Sequence, residues 1–177
     1  SYLQDRQWAG KKGFHNIVLL VRPGVLIPRP ETELLVEIGL REITRLGGKA
    51  KLLDLGTGSG AIALAVASAA PNLLVIATDH SLEALAIAKT NAKYLHLEEQ
   101  VQFFQGSWYE AIGKDAIFDL ILSNPPYIES GDPHLNQGDL RFEPLEALTD
   151  QSNGLSCLEV IITQATSFLN PHGLIAV

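Results

Sequence analysis

The 177-residue sequence contains no methionine and one cysteine, Cys157. A single thiol closes no internal disulfide and builds no all-cysteine metal site, which fits a reducing, cytoplasm-like compartment. No uninterrupted apolar run approaches the ~20 residues that a membrane span requires. The opening Ser1-Tyr2-Leu3-Gln4-Asp5-Arg6 is neither a signal nor a transit peptide. The missing methionine leaves the chain without a translation start. It therefore reads as a fragment whose last residues, 173–177, stop inside a strand. Basic residues are a minority, 13 against 20 acidic ones, for a net charge of −7. A broad basic nucleic-acid footprint is not expected from that balance. The five histidines, His15, His80, His96, His134 and His172, form no pair at ligand spacing, so no metal is expected.

What is present can bury a core: 46% of residues are hydrophobic and only 19% charged. The pattern predicts two short strands within 14–27 around the Pro23-Gly24 turn. Thr32 is expected to cap a helix over 33–46 with Leu34, Leu35, Ile38 and Ile43 on its apolar face. Short apolar runs at 51–55, 73–77, 101–105 and 118–122, and from 174 onward, read as buried strands. Helices are expected at 61–70, from Ser81, and over 158–169, the last stopped by Asn170-Pro171-His172-Gly173. Alternating strands and helices predict an α/β, Rossmann-like, doubly wound, mostly parallel sheet. Residues 1–30 read as a linking β-hairpin segment and 31–177 as one catalytic domain. A long loop is expected at 128–156.

Two motifs carry chemistry. Asp54-Leu55-Gly56-Thr57-Gly58-Ser59-Gly60 lies between the first buried strand and its helix. Glycines let the backbone turn tightly and let a ligand approach the main chain, while the helix start offers free N–H groups. Asp79 closes the next strand, where a carboxylate can accept from both ribose hydroxyls. The G-x-G-x-G spacing departs from the dinucleotide pattern G-x-G-x-x-G, and neither a phosphate-loop Gly-Lys-Ser/Thr nor a G-x-S-x-G elbow is present. The leading acid and the acid at the second strand end resemble class I S-adenosylmethionine-dependent methyltransferases. In such enzymes Asp54 would suit the ammonium group of the cofactor. Trp108, in Gly106-Ser107-Trp108 after the third strand, would stack on or pack against its adenine; the competing role for Trp108 is a half-buried core residue.

The second motif, Ser123-Asn124-Pro125-Pro126-Tyr127, follows a strand at the end where doubly wound folds bind ligands. The prolines stiffen the backbone and lack N–H donors. The Asn124 side-chain oxygen and the Pro125 carbonyl can each accept one hydrogen of a planar –NH2 group, and Tyr127 can pack on the flat group behind it. Adenine, guanine and a glutamine amide all present that geometry, and the tetrad does not choose among them.

Further strings narrow the substrate. Ile27-Pro28-Arg29-Pro30-Glu31-Thr32-Glu33 stands upstream, and Arg141-Phe142-Glu143-Pro144 and Asn153-Gly154-Leu155 stand downstream. With the tetrad these resemble the HemK/PrmC family of peptide-chain release factor glutamine N5-methyltransferases, from about Trp8 to the last residue. The resemblance implies S-adenosylmethionine as cofactor, bound by Asp54, Gly56, Thr57, Gly58, Ser59, Gly60, Asp79, Trp108 and Asn124. It implies Asn124, Pro125 and Tyr127 as catalytic residues, with Asn124, Pro125, Pro126 and Tyr127 holding the target glutamine. Arg29 and Thr32 would close over the methionine end of the cofactor, and Arg141 and Glu143 would order the long loop. The implied partner is a class 1 release factor in the cytoplasm, with no membrane and no nucleic acid. The family's N-terminal helical domain and final β-hairpin are not seen in this chain. Two competing readings are an amino-methyltransferase acting on adenine or guanine of DNA or RNA, which needs a basic surface and a flipped base, and a cofactor-binding subunit without turnover.

Overall fold

The computed structural model describes residues 10–22, 28–125 and 155–177. Five strands form one parallel sheet: β3 (Lys51–Leu55), β4 (Leu74–Asp79), β5 (Val101–Gln105), β6 (Phe118–Ser123) and β7 (Leu169–Ala176). Their order is β5-β4-β3-β6-β7. β3 is central, with Leu52 opposite Val75 on one side and Leu120 on the other. Its sequence KLLDL is apolar at both alternating faces, as a strand covered on both sides requires.

Helices α1 (Thr32–Arg45), α2 (Ala61–Ala69) and α3 (Leu82–Tyr94) share the apolar cluster that takes Leu52, Leu120 and Leu122 from the sheet. Leu53, Leu55 and Ile121 enter a second cluster with Tyr109 and with Ile161 and Ala165 of α4 (Ser156–Ala165). Helix α2 is AIALAVASA, buried at every position from Ala61 to Ala67. Small side chains let it sit between α1, α3 and the sheet. Gly39 has the same role in α1, because a Cβ there would stand 3.0 Å from Leu122 Cδ1. Among the described residues no helix is long and apolar enough to cross a membrane.

Four local expectations are corrected. The hairpin lies earlier than the Pro23-Gly24 signal suggests: β1 (Gly10–Phe14) and β2 (Ile17–Val21) pair antiparallel around His15-Asn16, with His15 at φ 51°. Residues 23–27 lie outside the described residues, as does most of the expected long loop. Thr32 is not the cap of α1. That position falls on Glu31, with no side-chain cap bond. Instead the N–H groups of Thr32, Glu33 and Leu34 donate to the carbonyls of Arg29, Pro30 and Glu31, so a tight three-residue winding replaces a cap. Leu34, expected on the apolar face, is exposed. Finally, α4 ends at Ala165, and Asn170-Pro171-His172-Gly173 bulges within β7, between the Phe118–Leu169 and Leu120–Leu174 pairs. Phe168 is drawn out of the helix register by stacking on Tyr109, centroids 4.7 Å apart, and by accepting from the Phe118 N–H.

One buried side chain joins the hairpin to the body. Asn91 on α3 is fully buried. Its Oδ1 accepts from the Leu20 N–H at 2.7 Å, and its Nδ2 donates to the Leu20 carbonyl at 3.1 Å. The amide thus stands in for a peptide group against the outer edge of β2, a position otherwise left with unpaired backbone groups. The same Nδ2 donates to the Ser59 carbonyl at 3.0 Å.

Candidate functional site

The strand order reverses between β3 and β6, and the carboxyl ends of β3, β4 and β6 converge there. In open α/β sheets ligands bind at such a crevice. Asp54, the 56–60 loop, Asp79 and Asn124 all stand at this rim, so the structure brings together the sequence-predicted residues that it describes.

The loop is shaped by backbone bonds. Thr57 N–H donates to the Thr78 carbonyl, Gly58 N–H to Asp79 Oδ2 at 2.9 Å, and Gly60 N–H to the Thr57 carbonyl. Gly60, at φ 86°, opens α2, where a Cβ would stand 2.9 Å from Leu64 Cδ1 and 3.3 Å from Ala88 Cβ. Gly56, at φ 68°, lies under Trp108, whose ring atom Cζ3 would be 3.3 Å from a Cβ. Trp108 itself has φ 50°, and its carbonyl accepts from the Thr78 hydroxyl. The indole therefore lies against the glycine loop while packing on the second apolar cluster. Both roles weighed for it from the sequence are compatible with that placement.

Asp54 is the electrostatic centre. It is 1% exposed. Its Oδ2 accepts from the Thr57 hydroxyl at 2.7 Å, while its Oδ1 is buried with no hydrogen bond. Burial pushes its pKa up to about 7; the Thr57 hydroxyl and the Ala63 N–H oppose the rise, and the nearby Asp79 carboxylate adds to it. An unsatisfied buried acid is costly to a protein that gains nothing from it. A cationic or hydrogen-donating ligand group at Oδ1 removes that cost. Asp79 holds its own position through Gly58 N–H and Ser81 N–H, one to each oxygen. Each oxygen keeps a second lone pair for a hydroxyl donor.

At the end of β6, the Ser123 hydroxyl donates to the Leu55 carbonyl at 2.7 Å and ties the strand to β3. Asn124 follows, half-buried, and Pro125 is buried. Asn124 Nδ2 donates to Thr32 Oγ1 at 3.0 Å. Thr32 is thus part of the site through Asn124, a contact across 92 residues of sequence that no local pattern signals. The resemblance had placed Thr32 by the cofactor but not against Asn124; Asn91, behind Ser59, is a residue that sequence reasoning missed outright. Pro126, Tyr127, Arg141 and Glu143 lie outside the described residues. Among the described residues no three His, Cys, Asp or Glu side chains gather as a metal site requires.

Residues 31–139, which hold the glycine loop, Asp79 and the Asn124 tetrad, match the methyltransferase small domain. The chain belongs to that family. The resemblance read from the tetrad and its flanking strings is borne out by curated relatives. A release factor glutamine methyltransferase from Bordetella pertussis is 53% identical over 168 residues, covering 94% of this chain and 60% of the relative. One from Aliivibrio fischeri is 49% identical over 160 residues, covering 90% and 55%. The chain thus spans only 55–60% of the length of these relatives. Among solved structures, a ribosomal protein L11 methylase from Lactobacillus delbrueckii subsp. bulgaricus superposes with TM-score 0.58 at 25% identity, covering 87% of this chain and 62% of that one. A SAM-dependent methyltransferase from Agrobacterium tumefaciens gives TM-score 0.65 at 18% identity, covering 95% and 51%, which bears on the fold alone.

Proposed function

We propose that this chain is the catalytic part of an S-adenosylmethionine-dependent protein-glutamine N5-methyltransferase. Its substrate is the side-chain amide of the glutamine in the Gly-Gly-Gln motif of class 1 release factors, in the cytoplasm. The observation that carries the reading is Asn124, held at the carboxyl end of β6 on the rim it shares with the buried, half-satisfied Asp54. Residues 31–177 form the methyltransferase domain on this reading, and 1–30 the linking hairpin segment.

The donor set fits the cofactor. Asp54 Oδ1 suits an ammonium group, and Asp79 suits a ribose diol. The 56–60 loop admits close backbone approach, and Trp108 offers a flat apolar edge for adenine. When bound, S-adenosylmethionine supplies an electrophilic methyl group on a positively charged sulfur. The rest falls to this chain. An amide nitrogen is a weak nucleophile because its lone pair is delocalised into the carbonyl. Asn124 Oδ1 and the Pro125 carbonyl would each accept one N–H of the target amide, more strongly as the nitrogen pyramidalises and its hydrogens become more acidic. Acceptors that bind better as charge develops lower the barrier rather than the ground state. Pro126 and Tyr127 would hold the flat amide in place, converting encounter into orientation. No general base is required before transfer, since the methylated nitrogen sheds its proton readily. The net charge of −7 supports a protein substrate over DNA or RNA.

The test uses the full-length protein that carries this chain, with methyl-labelled cofactor and three substrates: a release factor, its Gly-Gly-Gln glutamine mutant, and duplex DNA. Label on the wild-type factor alone, lost in Asn124→Ala, is expected. Label on DNA alone overturns the reading in favour of a nucleobase. Cofactor binding with no label on any substrate leaves the protein a binding subunit.

A further inference from the structure

We propose that Thr32 is a positioning residue that holds the Asn124 side chain at the rim in the rotamer that meets the substrate. The inference rests on the reading above and concerns how its acceptor is set. An asparagine side chain has two ends of nearly equal size and opposite hydrogen-bonding sense: Nδ2 gives two hydrogens, and Oδ1 accepts. Only Oδ1 can receive an N–H from the target –NH2. Something must therefore specify the rotamer before substrate arrives.

Thr32 is placed to do so. Its Oγ1 accepts from Asn124 Nδ2 at 3.0 Å, and with the side chain held there Oδ1 lies on the opposite side of the amide. Thr32 is 5% exposed, so water does not readily compete for the contact. Its hydroxyl is also not needed by its own helix. The first free N–H groups of α1 are met by the carbonyls of Arg29, Pro30 and Glu31, and the cap position belongs to Glu31. A threonine one residue inside a helix start, without a capping bond, is spent on a partner 92 residues away. Ser123, the neighbour of Asn124, is pinned separately to Leu55. The strand end before Asn124 and the Asn124 side chain are therefore held by different elements.

The test compares Thr32→Val, which keeps the branched shape but removes the acceptor, with Thr32→Ser, which keeps the acceptor. In the ligand-free protein the Asn124 side-chain NH2 resonances, assigned by their loss in Asn124→Ala, are expected to shift and to exchange faster in Thr32→Val but not in Thr32→Ser. In turnover at saturating cofactor, Thr32→Val is expected to lower kcat at least 10-fold, and Thr32→Ser to recover at least half of the wild-type rate. Unchanged Asn124 resonances in Thr32→Val overturn the proposal whatever the substrate proves to be. So does a Thr32→Val enzyme whose kcat stays within 2-fold of wild type. If the wild-type protein methylates DNA instead of the release factor, the functional reading fails, but the resonance and kcat comparisons still decide the role of Thr32.

Discussion

Asp54 and Asp119 stand on adjacent strands, β3 and β6, near opposite ends of one sheet. Asp119 is fully engaged: Oδ2 accepts from the Lys51 N–H at 2.8 Å, and Oδ1 accepts from Asn170 Nδ2 at 2.6 Å. It ties the starts of β3 and β6 to the bulge in β7. Asp54 is more deeply buried yet only half engaged, and its acidity is weakened to match. The same side chain serves cohesion at one rim and leaves a vacancy of bonding at the other. A carboxylate with both oxygens used is scaffold. A buried one left short of a donor is kept for something else.

The comparison is broken most forcefully by removing each acid in turn. Asp54→Asn is expected to weaken S-adenosylmethionine binding by about 100-fold, since a charge-assisted bond in a buried site is worth about 2–3 kcal/mol. Asp119→Asn should leave cofactor affinity within 2-fold. Calorimetric titration of both variants decides, and equal losses would erase the distinction drawn here.

A second test uses pH. The folded-state pKa of Asp54, about 7, lies above that of an unfolded aspartate, so the folded chain holds the extra proton. Stability tied to that proton is fully present below pH ~4 and is lost as pH rises through about 7, at up to about 1.4 kcal/mol per unit. Denaturant unfolding between pH 5 and pH 8 should show the fall in wild type and a flatter profile in Asp54→Asn. A bound ammonium favours the ionised acid, so cofactor affinity should rise with pH up to about 7 and then level off. Proton release in buffers of different ionisation enthalpy reads this directly.

The smallest effect is expected at the scaffold acid. Asp119→Ala removes two hydrogen bonds and should cost about 1–2 kcal/mol in unfolding free energy, with turnover per folded molecule unchanged. A fall in turnover greater than 3-fold would show that the two rims are coupled.

The sequence made some of this plain and hid the rest, for physical reasons. β3 and the 56–60 loop were legible because their causes are local: a short apolar run, then glycines where positive φ is needed. The two-residue turn at His15-Asn16 was not, because a histidine at φ 51° carries none of the signal of Pro23-Gly24. The end of α4 was misplaced because helical spacing continues through Phe168 and Leu169, while stacking on Tyr109 takes Phe168 out of the helix and pairing with Phe118 takes Leu169 into β7. Thr32 was read from its neighbours as a helix cap because capping is a short-range pattern, and only the resemblance set it by the cofactor. Its actual partner is set by the whole fold. Asn124 and Asp54 were legible as types at strand ends, but the missing bond on Oδ1 required coordinates.

The Asn91 clasp has a consequence for how the chain assembles. A two-stranded hairpin is marginal alone, and the outer groups of Leu20 are met by a side chain 71 residues further along. Emerging from the ribosome, β1 and β2 must wait for α3 before that edge is closed. The contact closes a loop of 71 residues, at an entropic cost that grows with the logarithm of loop length. Docking of the hairpin therefore needs α3 in place, and the same Asn91 amide holds the Ser59 carbonyl in the glycine loop. One amide thus serves both the edge of the hairpin and the loop of the candidate site.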